Sequence, residues 1–179
     1  MPKPHVEPLT SGRTRIRLLE RGDLPMTLAW RNRDDVRCWF FDDRVLALDA
    51  HLAWFEQYRE RDDDFVFIVE DTSRPPHPIG QVSLYRIDPA RREAEFGRMM
   101  IPDRANRSRG LASEASLLLL HAAFSRWPLG RIVLDVYAHN DAARRLWSRC
   151  GFQIVSRDER AIRMDVTPQT LAPLGSDVS

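Results

Sequence analysis

The spacing of hydrophobic residues changes along this chain between the period of strands and the period of helices. Ile16 and Leu18 alternate with Arg15 and Arg17, which is typical of a strand with one buried face. Further strands are predicted from short apolar runs bounded by proline, glycine or aspartate. The predicted strands are 13–19, 65–69, 79–87, 94–101, 131–137, 152–155 and 161–166.

Helices are predicted where apolar residues recur every three or four positions. The predicted helices are 24–32, 48–61, 110–127 and 140–150. Asp23 is expected to cap the first helix. Leu48, Leu52 and Phe55 are expected to face the core from the second. The third helix is apolar nearly all round, so we expect it to be packed on more than one side.

These elements follow one another in the order β-α-α-β-β-β-α-β-α-β-β, without an internal repeat. The order indicates a mixed α/β sheet covered by helices. A length of 179 residues fits one domain, which buries about two-thirds of the surface of the unfolded chain. We expect this single domain to span residues 12–167, and the polar, proline-containing segments 1–11 and 168–179 to be poorly ordered.

The charge balance excludes several classes of partner. Basic and acidic residues nearly cancel, with a formal net charge of +1, so neither nucleic acid nor a membrane surface is an expected partner. The longest near-apolar stretch, 117–124, is too short to cross a bilayer, and the first residues lack the apolar core of a signal peptide. Cys38 and Cys150 are expected to be free thiols, and the five histidines lack the spacing of metal ligands. We therefore expect a cytoplasmic protein with no metal site.

A basic, glycine-containing turn precedes the third predicted helix. Its six residues form the pattern R-x-x-G-x-A and follow an apolar strand. The first N–H groups of a helix have no internal partner, and the helix dipole favours negative charge there, so the turn predicts an anion site. The residues expected to hold a phosphorylated ligand are Arg107, Ser108, Arg109, Gly110, Leu111 and Ala112.

A second motif, N-x-x-A-x-x-L-W-x-x-x-G-F, spans residues 140–152. The two motifs resemble the acyl-CoA loop Q/R-x-x-G-x-G/A and the N-x-x-A-x-x-L-Y-x-x-x-G-F segment of the GNAT N-acetyltransferase superfamily. This resemblance, strongest over residues 93–152, implies a mostly antiparallel sheet flanked by helices, whose splayed central strands receive acetyl-CoA. It assigns the coenzyme pyrophosphate to the turn. It also implies coenzyme contacts from Met99, Met100, Ile101, Asn140, Ala143 and Trp147.

Trp147 departs from the motif of the superfamily, in which many members have a tyrosine that protonates the leaving thiolate. An indole N–H donates a hydrogen bond but is not a usable acid. The departure therefore puts a general acid at this position in doubt. Asn140 has a second predicted role, because it stands where a helix begins and its side chain can cap that helix.

Glu95 is the candidate general base, since acetylation requires a neutral amine. Strand alternation places Glu93 and Glu95 on one face and Ala94 and Phe96 on the other. The alternative interpretation of Glu95 is a surface carboxylate paired with a nearby arginine. Tyr137, at the end of a neighbouring strand, is the fallback acid or relay group.

The predicted activity is transfer of the acetyl group of acetyl-CoA to a primary amine by direct attack. Segment 30–44 joins aromatic residues to arginines, which suits a ring and a phosphate. With residues 51–55 it bears a weaker resemblance to GNAT enzymes that acetylate nucleotide-linked amino sugars, so we expect a small-molecule acceptor of that kind. A protein N-terminal acetyltransferase of the ribosomal-protein type and a non-catalytic acyl-CoA-binding module are the alternatives. A monomer or a homodimer is expected.

Overall fold

The computed structural model describes residues 3–175. Over this part of the chain, one sheet of eight strands is flanked by helices. The strands are β1 (Leu9–Ser11), β2 (Thr14–Leu18), β3 (Asp64–Asp71), β4 (His77–Asp88), β5 (Glu93–Met100), β6 (Arg131–Tyr137), β7 (Gln153–Arg157) and β8 (Ala161–Val166). The α-helices are α1 (Leu24–Arg31), α2 (Asp34–Arg37), α3 (Leu48–Arg59), α4 (Leu111–Arg126) and α5 (Asp141–Arg149). Residues 1–2 and 176–179, which belong to the segments expected to be poorly ordered, lie outside the described residues.

The sheet is mixed, with the strand order β1-β2-β3-β4-β5-β6-β8-β7. β5 and β6 are parallel neighbours. The other neighbouring strands of the described chain pair in antiparallel fashion. The predicted fold class, a mixed and mostly antiparallel sheet flanked by helices, is confirmed.

Helices pack on both faces of the sheet. Phe65 and Phe67 of β3 belong to the large apolar cluster that includes α4, whereas Val66 and Ile68 pack with residues of α1 and α3. Successive residues of a strand point to opposite faces, so these two clusters lie on opposite sides of the sheet. α4 buries residues around most of its circumference, among them Leu111 at 0% exposure, as its apolar sequence predicts.

Two short elements were not predicted from periodicity. β1 has three residues and pairs with β2 inside the segment expected to be poorly ordered. α2 has four residues, two of them aspartates. At the other end of the chain, the Ala172 N–H donates to the Cys150 carbonyl at 3.2 Å and Leu171 packs against the core. The described parts of both end segments therefore make contacts with the rest of the fold.

The predicted N-cap position of Asp23 is confirmed, and the predicted burial of Leu48 is wrong. Asp23 is the N-cap residue of α1, although its side chain makes no capping hydrogen bond to that helix. Its carboxylate instead accepts hydrogen bonds from the Glu20 N–H and from Arg17, because Asp23 already ends a short 3-10 turn over residues 21–23. Leu48 is 50% exposed, since it is the first residue of α3 and lies beyond the edge of the apolar cluster that the helix covers.

The parallel pair at the centre of the sheet separates after three positions. Residues 93–95 of β5 pair with residues 131–133 of β6, whereas β5 continues to Met100 and β6 to Tyr137. Beyond the paired positions, a cleft opens between the two strands. The splayed central strands implied by the resemblance are therefore present.

A bulge in β5 accompanies this separation. Gln81 and Ser83 of β4 pair with Met100 and Gly97 of β5, so β5 has one extra residue in this interval. Arg98, inside the interval, has a φ of 49°, which is uncommon for a residue with a side chain. β4 lies close to the end of β5, because a Cβ at Gly80 would be 2.2 Å from the Met100 carbonyl oxygen.

Candidate active site

Two cavities meet at the cleft between β5 and β6. The first has a volume of about 590 Å³ and extends along the end of β5, the turn at 107–110 and α5. The second has a volume of about 350 Å³ and lies between β5, β6 and segment 39–41. The residues that line both cavities are Trp39, Phe40, Met99, Asn140, Ala143 and Trp147. Four of these six were predicted coenzyme contacts, so the predicted residues lie at the junction.

The turn before α4 has the backbone geometry of an anion site. Gly110 is the N-cap residue with a φ of 82°, and Ser108 has a φ of 65°. Among the described residues, no side chain caps the N-terminus of α4. The first N–H groups of the helix are therefore free to bind a negatively charged group, and Ser108, Gly110 and Ala112 line the first cavity.

The two predicted phosphate-binding arginines differ in position. The Arg107 guanidinium lines the first cavity and donates to the carbonyls of Ile101 and Pro102 at 2.8 and 2.9 Å. Arg109 donates instead to the buried Asp71 at 2.6 Å and is not among the residues lining either cavity. Leu111 is also absent from both linings because its side chain is fully buried in the core. Any contact of these two residues with a phosphate would come from the backbone.

Arg145 and Arg149 also line the first cavity, and sequence analysis did not identify them. They are four residues apart on α5, so they lie on the same face of the helix. Within residues 3–175, neither has a carboxylate oxygen within 4.0 Å of its guanidinium, whereas Arg144 pairs with Asp141. The sequence signal that could have identified them is the four-residue spacing of Arg145 and Arg149 after Asn140.

The residues predicted to lie along the coenzyme arm border the first cavity. Met99, Met100 and Ile101 are all part of its lining. Asn140 accepts a hydrogen bond from the Ala143 N–H at 3.1 Å, which makes it the side-chain cap of α5. The predicted capping role of Asn140 is confirmed, and its contact with a coenzyme stays a prediction.

Trp147 forms part of the wall shared by the two cavities. It is 6% exposed, and its ring packs edge-on against Phe96 with centroids 5.2 Å apart. The side chain is therefore held by the core while one surface borders the cavities. Because an indole cannot release a proton near neutral pH, this position offers a rigid wall without an acid.

Glu95 lines the second cavity and is paired with an arginine. Its carboxylate accepts a hydrogen bond from Arg86 at 2.7 Å, and the side chain is 20% exposed. Burial, together with the nearby Glu95 charge, raises the pKa of Tyr85, which lines the same cavity. The paired-carboxylate interpretation thus describes the geometry, while the cavity position is the one a general base requires. Its catalytic role stays a prediction.

Tyr137 also lines the second cavity. Its hydroxyl donates to the Phe40 carbonyl at 3.3 Å, and its ring lies 4.5 Å from that of Phe41. This geometry connects the end of β6 to segment 39–41. Its role as an acid or relay group stays a prediction.

Segment 30–44 contributes only part of the expected acceptor wall. Trp39 and Phe40 line both cavities and Phe41 lines the second, whereas Trp30, Arg31 and Arg37 line neither. The Arg31 guanidinium lies 4.2 Å from the Phe40 ring centroid, and Arg37 donates to the Asp43 carbonyl at 2.9 Å. These two arginines therefore contact the segment that carries the aromatic side chains, without lining the cavities themselves.

The remaining candidate residues do not suggest other chemistry. Burial raises the pKa of the Cys150 thiol to about 12, so it is not a nucleophile near neutral pH. Within residues 3–175, no group of three or more His, Cys, Asp or Glu side chains is arranged to hold a metal ion. No helix of the described chain is long and apolar enough to span a membrane.

Known proteins share both the sequence and the fold. Residues 13–153 match the family model of the acetyltransferase (GNAT) domain. The spermidine N(1)-acetyltransferase of Vibrio cholerae serotype O1 is 28% identical over 137 residues, which cover 76% of this chain and 77% of that protein.

Two solved structures have a similar fold. The spermidine N-acetyltransferase from Vibrio cholerae in complex with CoA and spermine has a TM-score of 0.80 and 24% identity, over 88% of this chain and 97% of that chain. Apo FdhC, a nucleotide-linked sugar GNAT, has a TM-score of 0.79 and 22% identity over 92% of each chain.

The match to the family model extends from the start of β2 to the start of β7. It includes both motifs and the six residues that line both cavities. It covers well over half of the 179 residues. The chain belongs to the GNAT acetyltransferase family and is an N-acetyltransferase.

Proposed function

We propose that this enzyme transfers the acetyl group of acetyl-CoA to the primary amine of a small molecule, with the coenzyme in the first cavity and the amine in the second. The observation that carries the proposal is the junction of the two cavities at the point where β5 and β6 separate. An acetyl donor and an amine that enter from opposite sides would meet there. Six residues common to both linings mark the place.

The residues of the first cavity fit a coenzyme A molecule. Arg107, Ser108, Gly110 and the free N–H groups at the start of α4 would hold the pyrophosphate. Among the described residues, no strand pairs with the end of β5 on its β6 side, so its backbone can bond an extended pantetheine arm as an added strand would. When bound, acetyl-CoA supplies an activated thioester.

The chain's own groups would then serve the proton and charge movements. Glu95 would take the proton that the amine must lose, directly or through water. Backbone N–H groups near Met99 and Met100 would bond the oxyanion that develops on the carbonyl oxygen. Trp147 would exclude water from the junction without supplying a proton, so the thiolate would leave unassisted.

The lining of the second cavity favours an acceptor with a ring. Its wall contains five aromatic side chains, which are Trp39, Phe40, Phe41, Tyr85 and Tyr137, together with Phe96 and Trp147 shared with the core. Its two carboxylates are already paired, Glu95 with Arg86 and Asp135 with Arg163 at 2.9 Å. Unpaired carboxylates would suit a polycation better, so we propose a nucleotide-linked amino sugar as the acceptor class.

A polyamine is the second candidate acceptor, and the 28% identity to a spermidine N(1)-acetyltransferase supports it. A thiol-release assay with acetyl-CoA and three amines separates the candidates: a nucleoside-diphosphate-linked amino sugar, spermidine, and a short peptide with a free N-terminus. We expect the highest kcat/KM with the sugar. A higher kcat/KM with spermidine would refute the acceptor class, and no transfer to any amine would refute the activity.

Glu95→Gln tests the proposed base in the same assay. Its turnover near neutral pH should fall roughly 10²–10⁴-fold, as is typical of general-base removal. High pH should partly restore the rate, because the amine then loses its proton in solution. In the wild type, kcat/KM should rise through one ionisation and stay level at alkaline pH. Unchanged turnover of the variant would make Glu95 a surface carboxylate, and an alkaline decline would indicate an acid, with Tyr137 tested first.

A further inference from the structure

A buried carboxylate on β3 forms an ion pair with the residue at the β5 bulge, two strands away. Asp64, the first residue of β3, has a side chain that is 3% exposed. One guanidinium nitrogen of Arg98 donates to both of its carboxylate oxygens, at 2.8 and 3.0 Å. The guanidinium also lies over the Tyr85 ring of β4, 4.0 Å from its centroid. The pair therefore fixes the Arg98 side chain across three neighbouring strands.

Arg98 is also the residue whose backbone forms the bulge. Its φ of 49° lies in the left-handed region, which is unfavourable for any residue with a Cβ. The next residue, Met99, lines both cavities. The backbone dihedrals of Arg98, φ and ψ together, set the angle between its two flanking peptide planes, and so the direction of the Met99 N–H. Without an anchor for its side chain, Arg98 would favour an extended backbone, and the bulge would be lost.

We propose that Asp64 is a positioning residue for acetyl transfer, which holds Arg98 in the backbone conformation that directs the Met99 N–H toward the reacting carbonyl. This inference rests on the proposed function, which uses the Met99 N–H as an oxyanion donor. Asp64 is not among the residues that line either cavity, so it acts through Arg98. A preorganised donor is effective only when its direction is fixed before the charge develops.

The test must separate this role from a contribution to stability alone. Removing one partner of a buried ion pair leaves an uncompensated charge and destabilises the fold, whatever the pair does for catalysis. Two double variants reduce this problem, because each removes both charges of the pair and the two share the same loss beside Lys3: Asp64→Asn with Arg98→Gly, and Asp64→Asn with Arg98→Ala. They differ only at the bulge, where glycine adopts the left-handed conformation readily and alanine does not.

Both double variants lose the Arg98 guanidinium, which lines the second cavity, so the two are compared with each other rather than with the wild type. We expect the kcat of the alanine double variant to be roughly tenfold to a hundredfold below that of the glycine double variant, the effect of a misplaced catalytic group, with little difference in the KM for acetyl-CoA. Amide hydrogen exchange over residues 96–100 should be faster in the alanine variant than in the glycine variant. Asp23→Asn is the matched control, since it removes another Arg–Asp pair with bonds of 2.8 and 2.9 Å; it should lower the melting temperature and leave kcat unchanged.

Equal kcat and equal exchange in the two double variants would overturn the proposal. If neither double variant folds, Asp64→Glu keeps the charge and displaces it by one methylene; a lower kcat at an unchanged acetyl-CoA KM supports the proposal, and an unchanged kcat refutes it. Failure of the proposed function gives a different result. The wild type would then transfer acetyl to no amine, while the exchange difference at residues 96–100 would still show whether the backbone is held.

Discussion

Substitution of Gly110 can separate the effect of bulk from the effect of charge at the anion turn. Gly110 has a φ of 82°, and a Cβ at this position would have as its nearest atoms a guanidinium nitrogen of Arg13 at 3.9 Å and a carboxylate oxygen of Glu114 at 4.0 Å. A side chain therefore has room in the protein itself. The expected cost to folding is the left-handed backbone, about 1 kcal/mol for alanine and less for asparagine, which tolerates this region.

Asparagine and aspartate at position 110 have almost the same shape, so their difference reports on charge. A carboxylate about 5 Å from a phosphate repels it by about 3 kcal/mol per unit charge at an effective dielectric constant of about 20. This corresponds to a loss of at least about a hundredfold in affinity for CoA. Both residues are good N-caps, and a negative charge is favourable at a helix N-terminus, so the fold of Gly110→Asp should be preserved.

Isothermal titration of CoA into the wild type, Gly110→Asn and Gly110→Asp measures this difference. We expect Gly110→Asp to bind at least about a hundredfold more weakly than Gly110→Asn at 0.1 M salt, with the gap narrowing at 1 M salt as the screening length falls from about 10 to about 3 Å. Circular dichroism should show the same fold in all three. Equal Kd values for the asparagine and aspartate variants at 0.1 M salt would show that the pyrophosphate lies elsewhere.

Three further predictions concern acceptor binding, the packing of β4 against β5, and the stability of the fold at acid pH. Phe41→Ala should raise the acceptor KM about tenfold and leave the acetyl-CoA KM unchanged, because Phe41 lines only the second cavity. Gly80→Ala should destabilise the fold by about 1–3 kcal/mol in urea titrations and lower kcat, since its Cβ would lie 2.2 Å from a carbonyl oxygen of β5. Although burial acts to raise it, hydrogen bonds from Ser73 and Arg109 lower the pKa of Asp71 to about 2. A carboxyl with a lowered pKa in the folded state stabilises the fold at pH values above its unfolded pKa of about 4. Urea titrations should therefore show that the free energy of unfolding falls between about pH 4 and pH 2. The fall should be smaller in Asp71→Asn.

Each of these predictions has a control or a contrary outcome. Val45→Ala removes an apolar side chain that is 66% exposed and lines neither cavity, so it should leave both KM values unchanged. Gly22→Ala adds a Cβ with no atom within 4 Å and should change stability little. A Phe41→Ala variant that raises both KM values equally would place Phe41 outside the acceptor site. An Asp71→Asn variant with an unaltered acid profile would mean that Asp71 does not govern this range.

Periodicity predicted the long elements because each buries one face or stripe over many residues. The strand at 131–137 and the helix at 110–127 agree with the structure to within a residue or so at each end. β1 and α2 escaped prediction because three or four residues are too few for a period to appear. The ion-pair partner of a charged residue also cannot be predicted from local sequence. No local pattern joins Asp64 to Arg98 or Glu95 to Arg86.

The motifs predicted which residues meet at the site but not how their side chains point. Arg107 and Arg109 both pair with carboxylates, Arg107 with Asp35 at 3.3 Å and Arg109 with Asp71 of β3 at 2.6 Å, yet only Arg107 lines the cavity. In the sequence, Arg145 and Arg149 are typical of the polar face of a helix. In the structure, they line the cavity that opens where β5 and β6 separate, because α5 lies beside it. Local rules assign an arginine to the surface and cannot tell which surface becomes a cavity wall.

Unusual backbone conformations cluster at the two cavities. Within residues 3–175, four residues other than glycine have a left-handed backbone: Arg86, Arg92, Arg98 and Ser108. Three of them line the cavities, Arg86 and Arg98 the second and Ser108 the first. Such conformations are unfavourable in isolation. The side chains of Arg86 and Arg98 are paired with Glu95 and Asp64. The run at 94–101 reads as one continuous strand, whereas the structure bends it at the point where an oxyanion donor is needed, so catalysis would account for strain that folding alone does not require.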